Sequence, residues 1–186
     1  GYPIWWVGVS WLWFNAAFIS FATFAPNFFL QKGYTIEQSG FLTGIPLLGS
    51  LFLSPLMGYF VDRFGHQEWF IAIGGIALSI LILFFNFSPS FLLLVTLMGI
   101  FSATIPAPIY SLPPKLLKPD HLGLGFGVIS TCSSIGLFVA PYLIGKAKDL
   151  TGSYGFGFIF ISLFFLLTVI SIFFVHQRTI QFGVRS

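Results

Sequence analysis

The sequence predicts an all-α membrane protein in which six transmembrane helices form two inverted three-helix repeats. Three observations lead to this fold class. Charged residues are scarce, six apolar stretches have the length that a bilayer requires, and one internal shift aligns the second stretch with the fifth. Together these observations place residues 1–186 in a single transmembrane domain.

The composition indicates that most of the chain faces hydrocarbon. Hydrophobic residues make up 56% of the chain, charged residues make up 7%, and the mean hydropathy is +0.96. Soluble domains carry charge on roughly a quarter of their residues. The net charge of +3 is scattered, without the basic stripe that nucleic acids require. The single cysteine, Cys132, closes no intrachain disulfide, and we expect it to be a packing residue. We predict no nucleic-acid partner, metal site or cofactor.

Six stretches meet the requirement for about 20 helical residues across a hydrocarbon core of about 30 Å. Each stretch is bounded by charged or turn-forming residues. The predicted spans are residues 5–30, 38–61, 68–87, 90–110, 122–147 and 154–175. Prolines inside spans 2, 4 and 5 predict kinks, because neighbouring helices can satisfy the carbonyls that proline frees. These prolines are Pro46, Pro55, Pro106, Pro108 and Pro141.

Basic residues near the span ends predict the orientation of this multi-pass integral membrane protein. One side of the membrane, which also holds both termini, would carry Arg63, Lys115, Lys118, Arg178 and Arg185. The other side would carry Lys32, Lys146 and Lys148. Since Lys and Arg are enriched on the cytoplasmic side, we expect both termini to be cytoplasmic.

An internal repeat is visible at the ends of spans 2 and 5. Residues 58–65 and residues 145–152 both follow the pattern G-x-x-x-D-x-x-G, at an offset of 87 residues. The same ungapped shift aligns two further glycine pairs, Gly40 with Gly127 and Gly49 with Gly136. The shift displaces the chain by three spans, and an odd displacement inverts the orientation in the membrane. We therefore predict two inverted units of about residues 1–88 and 89–186.

The repeated motif suggests a conformational role. Asp62 and Asp149, just past the ends of their helices, would accept N–H bonds from the next helix start. Arg63 would pair with a carboxylate or with helix-end carbonyls. Because such contacts break when a helical bundle rocks, they can favour one conformation over another. The predicted gating loop comprises Gly58, Asp62, Arg63, Gly65 and Asp149. The alternative is that both motifs are charged turns that only cap helices.

Residues 58–67, which read Gly-Tyr-Phe-Val-Asp-Arg-Phe-Gly-His-Gln, resemble the signature loop G-x-x-x-D-R-x-G-R-[RK] of the major facilitator superfamily. The G, D, R and G positions match, whereas His66 and Gln67 stand where the signature has a basic pair. This departure, the lack of an arginine in span 4, and the exit of span 5 in residues 140–154 make the chain similar to the C-terminal six-helix half of that family.

The resemblance implies half of a transporter. In that family two six-helix halves enclose a central cavity lined by the first and fourth helices of each half, and the halves rock in alternating access. It therefore implies secondary active or facilitative transport of a small organic solute across a lipid bilayer. The chain begins without an initiator methionine, and we expect it to be a fragment of a twelve-helix transporter. Its companion would be an N-terminal six-helix half or a second copy.

Seven polar or aromatic residues are the candidate cavity lining. They are Trp11, Asn15, Phe18, Thr104, Tyr110, Ser130 and Thr131. The first three share a stripe of span 1 at helical spacing. An unpartnered amide is costly in hydrocarbon, so Asn15 would face either another helix or a watery cavity. Helix-to-helix packing or hydrogen bonding is the alternative for the residues of spans 4 and 5.

Two other classes of function are less consistent with the sequence. A channel-like or self-associating membrane scaffold would also have six helices, but the polar residues form no continuous stripe along any span. A membrane enzyme requires a nucleophile–base pair, paired carboxylates or metal ligands at membrane depth. No ionisable residue lies in the middle of a predicted span, so we predict that the chain is not an enzyme and supplies no evident proton carrier.

Overall fold

The computed structural model describes residues 2–85, 87–88, 90–152 and 154–181. The helices are α1 (Tyr2–Gln31), α2 (Ile36–Phe64), α3 (Gln67–Phe84), α4 (Phe91–Ser102), α5 (Pro106–Ser111), α6 (Pro113–Leu116), α7 (Leu122–Thr151) and α8 (Tyr154–Gln181). A 3₁₀ turn at Pro119–His121 precedes α7. Within the described residues, six helical segments are long and apolar enough to cross a membrane. The predicted all-α membrane fold is therefore confirmed.

Span 4 differs from its prediction because it is not one continuous helix. It comprises α4, α5 and α6 and extends over Phe91–Leu116, with a tight turn between Ser102 and Pro106. Proline lacks an N–H group and clashes with the preceding turn, so α4 ends before Pro106. The prolines inside α2, Pro46 and Pro55, and the proline inside α7, Pro141, do not interrupt those helices. Span 3 ends at Phe84 rather than at residue 87, and α8 continues beyond residue 175 to Gln181.

The packing of the helices follows a twofold pattern. Helix α1 packs against α7 and α8, whereas α4 packs against α2 and α3. Helices α3 and α8 pack against each other. Exchanging the first three spans with the last three leaves this pattern unchanged, as expected for two related three-helix units. A hydrogen bond of 2.7 Å between the hydroxyls of Ser79 and Ser162 joins α3 to α8.

The 87-residue shift also relates the two closest approaches of a glycine to the backbone of another helix among the described residues. A methyl group added to Gly49 of α2 would lie 2.7 Å from Cα of Gly99 in α4. A methyl group added to Gly136 of α7 would overlap the carbonyl oxygen of Leu12 in α1. The shift takes Gly49 to Gly136 and Leu12 to Gly99, so the two contacts are equivalent. Small residues permit such close approach where no hydrophobic force drives helices together.

The ends of α2 and α7 are equivalent in the same way. Gly65 and Gly152 both have φ of 67°, which glycine adopts without strain, although ψ is −149° at Gly65 and 4° at Gly152. The N–H of Gly65 donates to the carbonyl of Val61 at 2.9 Å, and that of Gly152 donates to the carbonyl of Lys148 at 2.7 Å. Both bonds close the last turn of a helix. The glycines of the repeated motif therefore end two transmembrane helices.

Candidate functional site

Neighbouring helices cover α1 on two sides and leave a third side partly open. Gly8 and Leu12 face α7, since Gly8 is closest to Cys132 and Leu12 to the Gly136 contact. On another side, the Ser10 hydroxyl donates to the Thr168 carbonyl of α8 at 2.9 Å. Trp11 and Phe18 lie between these two directions and Asn15 lies nearer to the side of α7, because a helix turns by about 100° per residue. This stripe lies away from α8.

Five aromatic rings form a continuous series along this open side, which we call the aromatic ladder. Its members, in order of contact, are Phe18, Phe14, Trp11, Tyr110 and Phe126. The first three rings stack along α1 with centroids 5.6 and 5.2 Å apart. Trp11 meets Tyr110 of α5 edge-on at 5.4 Å, and Tyr110 stacks on Phe126 of α7 at 6.4 Å. Such distances are typical of attractive ring pairs.

The rings of the ladder differ in exposure. Phe14 and Trp11 are buried, Phe18 and Phe126 are half-buried, and 45% of Tyr110 is exposed. The ladder therefore has a buried base on α1 and presents accessible ring surface at both ends. Of its members, the sequence predicted Trp11, Phe18 and Tyr110. Phe14 and Phe126 were missed because phenylalanine occurs in every span and carries no positional signal by itself.

Asn15 lies on the stripe of Trp11 and Phe18 and is half-buried. Its Nδ2 donates to the carbonyl oxygen of Trp11, in the preceding turn, at 2.8 Å. A carbonyl oxygen can only accept, so the amide nitrogen must point toward it. The amide oxygen is then left as a hydrogen-bond acceptor. The sequence suggested that Asn15 faces either another helix or a watery cavity. The structure shows instead that its amide nitrogen is bonded within α1 itself.

The two hydroxyl candidates of α7 are both exposed but lie on different faces. Ser130 follows Phe126 by four residues and therefore shares its face of the helix. Thr131 lies about 100° further round α7, and its hydroxyl donates to the carbonyl of Gly127 at 2.9 Å. Ser130 is thus associated with the aromatic ladder, whereas Thr131 is not.

Thr104 occupies the contact between helices rather than the open side. Its hydroxyl donates to the Phe101 carbonyl at 2.7 Å, and a methyl group on Gly74 of α3 would overlap its Oγ1 atom. The residue is buried. This position does not support the cavity assignment made from the sequence, and it matches the packing alternative.

The gating loop differs from its prediction in two respects. Asp62 does not follow the end of its helix, because α2 continues to Phe64 and places this exposed carboxylate in the last turn. Asp149 is likewise inside the last turn of α7. The predicted N-cap role is therefore wrong for Asp62, because α3 begins after His66 without a side-chain cap. Arg63 donates to the hydroxyl of Tyr59 at 3.4 Å rather than to a carboxylate or carbonyl.

The fold and its open aromatic side define a multi-pass α-helical membrane protein with an internal twofold repeat. Comparison with known proteins identifies the family. The chain belongs to the Major Facilitator Superfamily, whose family description matches residues 9–181. It is therefore a member of a family of transporters and not of enzymes.

Relatives of this chain are named as transporters of different solutes. A "Putative tartrate transporter" of Agrobacterium vitis is 26% identical over 84% of this chain and 35% of its own length. A "Quinolone resistance transporter" of Acinetobacter baumannii is 30% identical over 76% of this chain and 33% of its own length. A "Probable nitrate transporter NarT" of Staphylococcus epidermidis is 25% identical over 87% of this chain and 42% of its own length. The chain thus spans between a third and a half of the length of these curated relatives.

Proposed function

We propose that this chain is one six-helix half of a transporter that moves a small organic solute across a membrane by alternating access. The two inverted units of about residues 1–88 and 89–186 would move together as one body against a companion. Transport would be secondary active or facilitative. The wall of the cavity would comprise the aromatic ladder together with Asn15 and Ser130, whereas Thr104 and Thr131 are left out of this proposal.

The observation that carries the proposal is the low burial of the two helices beside the aromatic ladder. In the most apolar stretch of each span, only 17% of α2 and 22% of α7 is buried, against 44–56% in the other four spans. Helices α2 and α7 are equivalent in the repeat, so both units leave the same helix uncovered. A companion placed against both helices would enclose the open side between them.

The companion would be a second six-helix unit, either an N-terminal half of the same protein or a second copy of this chain. The relatives support this expectation, because the matched region is 35% of the length of the tartrate transporter and 42% of the nitrate transporter. With an even number of spans, both termini lie on one side of the membrane. The basic residues Arg63, Lys115 and Lys118 support a cytoplasmic location for that side. Arg185 lies outside the described residues.

We further propose that the repeated motif controls which conformation is favoured. A carboxylate in the last turn of a helix is unfavourable, because the helix dipole places partial negative charge there. Asp62 and Asp149 are both exposed at such positions. A helix N-terminus or a cation of the companion half would provide a favourable partner for these carboxylates. That contact would form in one orientation of the halves and break in the other.

Uptake by the complete transporter reconstituted into liposomes tests the proposal. We expect uptake of a transported solute to saturate with concentration and to accelerate when unlabelled solute is present on the opposite side. Both properties require a site that is exposed alternately to the two sides. A flux that rises linearly with concentration, without trans-stimulation, would instead indicate the channel-like alternative.

A further inference from the structure

We infer that the aromatic ladder selects aromatic solutes that are positively charged or neutral, and that it does not bind organic anions. This inference rests on the proposed transport function and adds a substrate class to it. The relatives do not decide the class, since their names include both anions and drugs. The ladder can contact a solute because it has accessible rings on three separate elements, Phe18 on α1, Tyr110 on α5 and Phe126 on α7.

The position of the ladder matches a path into the membrane. Phe18 lies near the middle of α1, whereas Phe126 lies in the second turn of α7. Helices α1 and α7 begin on the same side of the membrane because they are separated by an even number of spans. The ring series therefore extends from the centre of the membrane toward the side that holds the termini. A flat aromatic solute could contact the accessible rings of Phe18, Tyr110 and Phe126 along this path, while the buried rings of Phe14 and Trp11 support them.

The electrostatic character of the ladder excludes anions. The face of an aromatic ring is negative and attracts cations, but it repels carboxylates. Organic anions are usually bound by Arg or Lys, and each described Lys or Arg of this chain lies at or near the end of a span. Asn15 also has an acceptor oxygen, while one of the two N–H groups of its amide is bonded to Trp11. Ring faces and an acceptor together suit a solute with positive charge or N–H donors.

Tyr110 is the residue through which the inference is best tested. It connects Trp11 to Phe126, and 45% of its surface is exposed. Tyr110→Leu removes the ring but keeps an apolar side chain, whereas Tyr110→Phe keeps the ring and removes the hydroxyl. Tyr142 provides the matched control, because it is a 68% exposed tyrosine of α7 that has no contact with the ladder among the described ring pairs.

The experiment compares ethidium, a planar aromatic cation, with tartrate, a dicarboxylate, in liposomes that contain the complete transporter. We expect saturable ethidium movement that excess tartrate does not inhibit. Tyr110→Leu should raise the half-saturating ethidium concentration about fivefold, Tyr110→Phe should raise it less, and Tyr142→Leu should leave it unchanged. Saturable tartrate movement without ethidium movement would overturn the inference while the transport function stands. Equal effects of Tyr110→Leu and Tyr142→Leu would also overturn it. The absence of saturable movement for every solute tested would refute the proposed function as well.

Discussion

Replacement of Gly49 by alanine should destabilise the protein by forcing α2 away from α4. The added methyl carbon would lie 2.7 Å from Cα and 3.0 Å from the carbonyl carbon of Gly99. Carbon atoms in contact prefer separations of about 3.5–4.0 Å, so the two helices must separate by about 1 Å. The opposing atoms belong to the backbone and cannot rotate away. Overpacking of this kind typically costs about 1–3 kcal/mol of unfolding free energy.

Gly40→Ala is the matched control, because Gly40 is in the same helix and has no atom within 4 Å of the added methyl group. Thermal unfolding of the purified protein in detergent, followed by far-ultraviolet circular dichroism, measures both variants. For a chain of this size, each kcal/mol lowers the Tm by about 2–4 °C. We expect Gly49→Ala to unfold several degrees below the wild-type protein and Gly40→Ala to unfold no lower than it. Equal Tm values for the two variants would refute the close contact between α2 and α4.

Three further predictions address the other contacts of the fold. In a double-mutant cycle with alanine, the hydroxyls of Ser79 and Ser162 should show a coupling free energy of about 0.6 kcal/mol and at most about 1.7 kcal/mol. A coupling free energy of zero would show that this hydrogen bond does not hold α3 to α8. Gly65→Ala should cost about 1–2 kcal/mol of unfolding free energy, because the residue has φ of 67°, and an unchanged Tm would contradict that backbone conformation. Asp62→Asn should raise the Tm slightly, because it removes a carboxylate from the end of a helix dipole. Asp62→Asn should also slow solute uptake at least about tenfold, whereas the control variant Asp120→Asn should not. Normal uptake by Asp62→Asn would refute the gating role.

The sequence was sufficient to predict the spans and the repeat because both depend on strong, repeated signals. Apolar length determines where a helix can cross the bilayer, and the glycines of residues 58–65 and 145–152 recur at the ends of the helices they terminate. The break in span 4 was less predictable, since membrane helices tolerate single prolines such as Pro46. The assignment of Thr104 and Thr131 depended on the rotation of each helix about its own axis. Composition does not specify that rotation, because apolar residues surround every span.

The same 87-residue shift separates the scaffold of this protein from its candidate site. Two of the glycine positions that shape the helices keep their character under the shift, Gly49 with Gly136 and Gly65 with Gly152. Most residues around the proposed cavity change their character under the shift, and the exception is Ser130, whose equivalent also carries a hydroxyl. The shift takes Trp11 to Met98, Asn15 to Ser102 and Phe18 to Ile105, and it takes Tyr110 to Thr23, Phe126 to Ser39 and Ser130 to Thr43.

This contrast has a physical reason. Helix packing in both units is subject to similar steric demands, and equivalent glycines are retained at some of the close contacts, as at Gly49 and Gly136. A bound solute has no such symmetry, and the residues that contact it are free to differ between the units. Ser102, the equivalent of Asn15, is buried and donates to the Gly99 carbonyl at 3.0 Å, whereas Asn15 remains half-exposed beside the aromatic ladder. In this chain the candidate site therefore lies where the two units differ, whereas the contact of Gly49 and that of Gly136 are shared by both units.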